Sequence, residues 1–243
     1  MEDGKMDITI DALLTGAVRP LGDSGRDSGI DKHPVADRRW LGLEGLDGDA
    51  QAARRFHGGP EKALHHYARD HYPVWLQTLG ERAVLRAPGA FGENLSTTGL
   101  TESDVCVGDV YRAGTAFIQV SQARQPCWKL DHRFQHKGMA AQVQASGMTG
   151  WYYRVLQTGW LAPGDSLTLQ KRLHPQWSLA RVQDILNRRV LDPDVLHALA
   201  ALPELSPNWR ALFEKRARAG EVEDWTRRLQ GDAAIAPPKE SQA

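Results

Sequence analysis

Gln119-Val-Ser-Gln-Ala-Arg-Gln-Pro-Cys-Trp-Lys-Leu130 is the stretch that decides how the rest of the chain is read. The run leading into it, Thr115-Ala-Phe-Ile-Gln-Val-Ser121, is rich in β-branched and aromatic residues with partial period-two alternation, which predicts a strand leaving a turn at Ala113-Gly114. Pro126 restricts Gln125 to an extended conformation, fixes its own φ and has no N–H to satisfy, so it suits the first position of a helix carrying Cys127, Trp128 and Leu130. Cys127 then stands at a helix N-terminus. Free backbone N–H groups and the positive end of the helix dipole favour a thiolate there, and Arg124 and Lys129 add to that field. A thiolate so placed is a nucleophile or a metal ligand; a small packed hydrophobe is the plain alternative.

With 243 residues, the chain can bury one substantial core plus a small satellite, so two unequal domains are expected. Thirty Lys plus Arg balance thirty Asp plus Glu, which excludes the global positive field of a duplex-binding protein and makes any phosphate site local. Two cysteines, Cys106 and Cys127, do not make a disulfide framework at this length and point to a reducing compartment. The first residues lack a basic segment followed by an apolar run, and no stretch approaches 18 apolar residues, so a soluble cytoplasmic protein is expected, with no membrane or nucleic-acid partner.

Ile8-Thr-Ile10 and Leu13-Leu14 give a first strand signal, and Gly22 to Gly29 reads as a loop leading to Lys32, taken on its own as a solvated surface lysine. Leu41 to Asp49 is too Gly-rich for a helix and reads as a shaped loop or as strands with tight bends. After Gly58-Gly59, whose freedom suits close approach to an anion, Leu64, Tyr67, His71, Val74 and Trp75 recur at helical spacing. They predict an amphipathic helix from Pro60, disturbed at Pro73. His57, His65, His66 and His71 lack a His-Glu-x-x-His pattern, and His71 falls on the apolar stripe as a packed residue. Ala90 to Thr101 reads as an irregular loop with short extended pieces, where Asn94 offers an amide to a planar heterocycle or caps a turn. Cys106, between two valines, reads as packing.

A weak helical pattern from Phe134 to Gly147, a strand over Thr149 to Leu156 and a last strand over Ser166 to Gln170 complete the first domain. Helices follow at Leu179 to Val190, Pro193 to Leu202, Pro207 to Ala219 and Glu221 to Leu229, with Asp192 and Ser206 as N-caps before Pro. The expected division is 1–171, 172–231 and a disordered tail over 232–243. Arg181, Arg188, Arg189, Arg227 and Arg228 give the helical part basic faces suited to docking an acidic redox partner, or to plain solvation.

His57-Gly-Gly-Pro-Glu-Lys-Ala-Leu-His-His-Tyr67, Phe91-Gly-Glu-Asn-Leu95, Gly108-Asp109 and Ser121-Gln-Ala-Arg-Gln-Pro-Cys127, in that order, resemble the molybdenum-cofactor sulfurase C-terminal (MOSC) domain, in its YiiM-like branch of 6-N-hydroxylaminopurine reductases. The resemblance spans roughly residues 8 to 171, with the helical remainder similar to that branch's three-helix domain. It implies a mainly antiparallel MOSC β-barrel whose pocket holds the molybdenum cofactor, a molybdenum pyranopterin, with Cys127 as the molybdenum ligand, in keeping with the softness of a thiolate. It further implies Arg124, Lys32 and the His57-Gly58-Gly59 turn at the cofactor's phosphate, and Asn94 and Ser121 at the pterin edge. Tyr67, His66, Trp128 and His132 are candidates for stacking or proton supply beside it, with Cys127, His66 and Tyr67 as the catalytic set. The implied activity is reduction of N-hydroxylated compounds, such as N-hydroxylated purine analogues, to amines. Electrons would come from a redox protein of flavoprotein reductase, flavodoxin or ferredoxin type. A non-catalytic carrier of cofactor or sulfur through Cys127, and a zinc hydrolase using His57, His65 and His66, are the competing readings.

Overall fold

The computed structural model describes residues 7–52 and 57–231, so the expected tail and Arg54-Arg55-Phe56 lie outside the described residues. Its strands are β1 (Asp7–Thr9), β2 (Ala12–Thr15), β3 (Arg19–Pro20), β4 (Asp27–Ser28), β5 (His33–Pro34), β6 (Arg39–Gly42), β7 (Gly45–Leu46), β8 (Leu64–Ala68), β9 (Leu95–Thr97), β10 (Val110–Ala113), β11 (Ala116–Ala123), β12 (Trp151–Gln157), β13 (Gly159–Leu161) and β14 (Ser166–Lys171). The main sheet runs β1-β14-β10-β11-β12-β8-β9-β2-β5, with β13-β6-β7 and β3-β4 as smaller sheets. β1 and β2 are halves of one extended segment joined by Ile10-Asp11, so the chain itself links two distant positions in the sheet order and curls the sheet around its core. One neighbour pair, β8 with β9, is parallel, within a sheet that is otherwise antiparallel, in keeping with the mainly antiparallel expectation.

The largest difference from the sequence reading lies between Pro60 and Tyr72. In place of one helix there is a 3-10 turn, Pro60–Lys62, then β8, then helix α1 (His71–Leu79). All five β8 residues are buried, because the strand pairs with β12 on one side and β9 on the other while both its faces are covered. A strand covered on both faces loses the apolar alternation that betrays it. Pro73 falls in the first turn of α1, where its missing N–H costs nothing, so it opens the helix rather than disturbing it.

Helix α2 (Lys129–Phe134) begins three residues later than Pro126, which puts Cys127 in the turn ahead of the helix. Helix α3 (Met139–Ser146) ends at Gly147 in the left-handed conformation. Helices α4 (Leu179–Asn187), α5 (Pro193–Ala200), α6 (Pro207–Ala219) and α7 (Thr226–Gln230) form the helical part. Asp192 accepts hydrogen bonds from Asp194 and Val195 N–H, and Ser206 accepts one from Trp209 N–H, which fixes the starts of α5 and α6.

A single cluster of buried apolar residues runs from the sheet (Leu13, Ile118, Val120, Trp151, Tyr153) into the helical part (Trp177, Val182, Leu199, Trp209, Phe213). Ser206 N–H also donates to the Ser121 carbonyl on β11. The helical part therefore shares its core with the sheet rather than standing as a unit apart. Its arginines are mostly engaged: Arg181 lies over Trp177, Arg189 lies over Trp225, and Arg188 pairs with Asp184. Arg228 turns inward, toward Cys127.

Burial of His66 makes stability depend on pH. Its pKa is pushed down to about 3 by desolvation, so it is neutral in the fold, whereas an unfolded histidine titrates near 6.5. Between those values the unfolded state binds the extra proton. Stability is therefore expected to fall as pH drops below about 6.5, by up to roughly 1.4 kcal/mol per pH unit from this residue. His65, also pushed down mainly by burial, acts in the same direction. Urea midpoints measured from neutral to mildly acidic pH check this; a flat profile would contradict it.

Candidate functional site

β11 delivers Arg124 to the mouth of a cleft of about 550 Å³, open end included, that lies between β8, β12, the segment around Ser28 to Lys32 and the Cys127 turn. Lys32, Lys62, Arg124 and Lys129 line it, and no carboxylate stands among the described lining residues. Lys32 is 5 % exposed, so its surface reading is corrected: its Nζ donates to Asp49 Oδ2 at 2.6 Å from inside the wall. Burial pushes Lys32, Lys62 and Lys129 below the ordinary lysine value, opposed by Asp49 at the first and by the Cys127 sulfur at the other two. A desolvated cluster of cations gains most from an anion, which restores the interactions lost with water.

Cys127, half-buried, puts its Sγ 3.5 Å from His57 Nε2 at the edge of this cleft. Arg124 is 7 % exposed, and its Nη1 is buried without a hydrogen-bond partner. His65 Nε2 is likewise buried and unpartnered, and Arg124 reinforces the burial that keeps the ring neutral. Burial pushes the Tyr152 hydroxyl up, opposed by the adjacent Arg124. Buried polar atoms without partners are rare in folded proteins and mark places where a ligand or solvent completes the set.

The loop opposite is held rigidly. Glu93, fully buried, accepts from Tyr72 Oη at 2.6 Å and from the N–H groups of Gly89 and Phe91 at 2.7 and 3.0 Å. Gly92, between Phe91 and Glu93, stands at φ +74, and a Cβ there would stand 2.8 Å from Ile30, so glycine is required where two walls of the cleft meet.

An Escherichia coli protein named YiiM is 41% identical over 219 residues, 90% of this chain and 97% of the relative. Residues 53–168 match the MOSC domain model, and residues 177–220 match the YiiM-like 3-alpha helix domain model. The chain belongs to the MOSC family. The crystal structure of YiiM from Escherichia coli superposes with a TM-score of 0.78 at 36% identity, covering 92% of this chain and 98% of that one. A Gibberella moniliformis protein named Reductase is 38% identical over 160 residues, 65% of this chain but 28% of the fungal protein, so the MOSC part is one portion of a larger reductase there.

Against this MOSC fold the expected site residues separate into two sets. Cys127, Arg124, Lys32, His57 and Asn94 line one cleft. Asn94 is nonetheless committed: its side-chain oxygen accepts from His65 N–H at 3.1 Å, while its Nδ2 donates to the Leu14 carbonyl at 3.2 Å and to Asp49 at 3.0 Å. Gly59, at φ +87, bends the chain into the 3-10 turn that brings Lys62 to the cleft.

The other set is placed elsewhere. Ser121 is fully buried at a register shift between β11 and β12, with its hydroxyl on the carbonyls of Glu61 and Tyr152. His66 points inside the curled sheet, held by Tyr153 Oη at 3.0 Å and Thr97 Oγ1 at 2.8 Å. Tyr67 stacks on Phe91 at 3.9 Å, donates to the Met148 carbonyl and accepts from Trp75 Nε1. Trp128 packs edge-on against His132, away from the lining. His66 and Tyr67, expected in the catalytic set, are thus placed in the packed interior, outside the lining of the cleft. Tyr67→Phe should leave chemistry at the cleft unchanged but cost about 1–3 kcal/mol, because the Trp75 indole N–H then loses its acceptor. Thermal unfolding and turnover measured together check this.

Strand alternation also supplies what the helical reading missed. On β8, His65 faces the cleft while His66 faces inward, and on β12 Tyr152 faces the cleft between the core residues Trp151 and Tyr153. The same alternation separates His65 from His66, which removes the three-histidine zinc arrangement. Among the described residues no group of three or more His, Cys, Asp or Glu side chains is placed to hold a metal ion. Among the described residues no helix is long and apolar enough to cross a membrane.

Proposed function

We propose that this MOSC protein is a molybdenum-cofactor-dependent reductase that converts N-hydroxylated compounds, including N-hydroxylated purine analogues, to amines in a detoxifying role. The observation that carries the reading is the donor set of one cleft: a half-buried soft thiol, Cys127, beside a buried guanidinium nitrogen of Arg124 with no partner. That set suits a group with a soft metal at one end and a phosphate at the other. The fungal relative named Reductase supports the oxidoreductase class.

When bound there, the cofactor supplies two-electron chemistry at a soft metal, which is what removing oxygen from an N–OH group requires. Cys127 Sγ would hold the metal, and its displaced proton has His57 Nε2 at 3.5 Å to receive it. Arg124 would clasp the phosphate through paired N–H donors, with Lys32, Lys62 and Lys129 balancing the remaining charge. Tyr152 and Phe91 close the walls and limit water. Electrons would arrive from a flavoprotein reductase, flavodoxin or ferredoxin-type partner.

The test is amine formation from an N-hydroxylated base by protein made in a cofactor-competent host and driven by an artificial reductant. Turnover that scales with molybdenum content is expected. Protein that carries molybdenum and pterin yet forms no amine would replace the reductase with the carrier reading.

A further inference from the structure

α7 lies beyond both regions that match family models, 53–168 and 177–220, yet it hydrogen-bonds directly to the cysteine turn. Arg228 Nη1 donates to the Pro126 carbonyl at 2.5 Å, and Trp128 N–H donates to the Arg228 carbonyl at 2.9 Å. The first of these groups belongs to the peptide before Cys127 and the second to the peptide after it. Arg228 therefore ties down both peptide planes that bracket the thiol. Its Nη2 donates to Gln144 Oε1 at 2.6 Å, and the Gln144 carbonyl accepts from Asn187 Nδ2 at 2.9 Å, so the clamp is anchored to α3 and α4. Gly231, at φ +81, stands beside the Trp128 ring, whose nearest atom would lie 3.4 Å from a Cβ at that position.

We propose that Arg228 is a positioning residue for Cys127: by holding the peptides on either side, α7 fixes the direction in which Sγ enters the cleft. The proposal takes from the functional reading above that Cys127 is the ligand, and adds that its aim is set by the C-terminal helix. A turn held at one side only would let the side chain swing between cleft and solvent, whereas two fixed peptide planes leave it χ1 alone. The guanidinium is required because one flat group reaches the Pro126 carbonyl and Gln144 together; an ammonium can keep the charge but not both directions.

The experiment uses the full chain with Cys106→Ser throughout, so that Cys127 is the sole thiol. Alkylation of cofactor-free protein by iodoacetamide is followed on the alkaline plateau, where the thiol is fully ionised in every variant and the rate reports access alone. Arg228→Met should raise that plateau rate about tenfold, the size expected for losing a charged hydrogen bond that resists local opening. Arg228→Lys should fall in between. If Arg228→Met does not fold, an intermediate rise in Arg228→Lys with unchanged thermal unfolding carries the same test. Plateau rates equal to the parent protein in the folded variants would overturn the proposal. Molybdenum and pterin in the same variants from a competent host read the other claim separately. Parent protein without either would remove the cofactor reading while the alkylation rates still decide the clamp.

Discussion

Cys127→Ser is expected to abolish metal-dependent reduction of an N-hydroxylated base while leaving the fold intact. A hydroxyl is a hard, un-ionised donor near neutral pH, so it replaces the sulfur in shape but not in affinity for a soft metal. Changes outside a metal's ligand set cost about 10–100-fold, so loss of the ligand itself should cost at least about a hundredfold in turnover. The side chain is half-buried at a cleft edge, so unfolding should shift little. Cys106→Ser is the matched control. That thiol is 3 % exposed, and its Sγ lies 3.7 Å from the Pro175 carbonyl beneath the helical part; burial pushes its pKa up. Its replacement should touch stability by about 1 kcal/mol and leave turnover alone. Equal activity in the two mutants would remove Cys127 from the chemistry.

The second large effect concerns Arg124. With Nη1 buried and unpartnered, the side chain is held ready for an acceptor that the protein does not supply. Charge-assisted hydrogen bonds to a phosphate are worth about 2 kcal/mol, so Arg124→Ala should weaken cofactor retention about thirtyfold. Arg124→Lys should recover part of that, since it keeps charge but loses the planar fork. Arg124→Ala also removes the positive group that helps keep His65 neutral, so in that variant the His65 pKa should rise toward its ordinary value, although burial still holds it down. Bound molybdenum after gel filtration measures the first effect, and histidine titration by NMR the second.

How legible these features were depended on whether the signal was local. The strand that leads to Arg124, the packed character of Cys106, and the Asp192-Pro193 and Ser206-Pro207 helix starts are encoded by neighbouring residues and are legible directly, whereas the helix expected from Pro126 starts only at Lys129 and leaves Cys127 outside it. β8 is not legible in that way, because its two neighbours, β9 and β12, lie about 30 and 85 residues away in sequence and nothing within Leu64 to Ala68 announces the pairing. Taking that stretch as helix also sent His65, His66 and Tyr67 to wrong places, since a helical repeat and a strand repeat distribute the same residues over different faces. Lys32 escapes a local reading for a related reason: its burial depends on Asp49, which sits in the turn that follows β7 and also binds Gly16 N–H and Asn94. The inward turn of Arg228 depends on the docking of a short C-terminal helix against a loop 102 residues earlier, a contact no local pattern carries.

The most direct measurement is the molybdenum and pterin content of the purified chain, made in parallel in a host that assembles the cofactor and in one that does not. Fluorescent oxidised pterin and molybdenum in near-equal amounts, present from the first host, absent from the second and lost together in Cys127→Ser, is the expected result. Protein from the competent host that holds zinc or no metal, with no pterin released on oxidation, would contradict it.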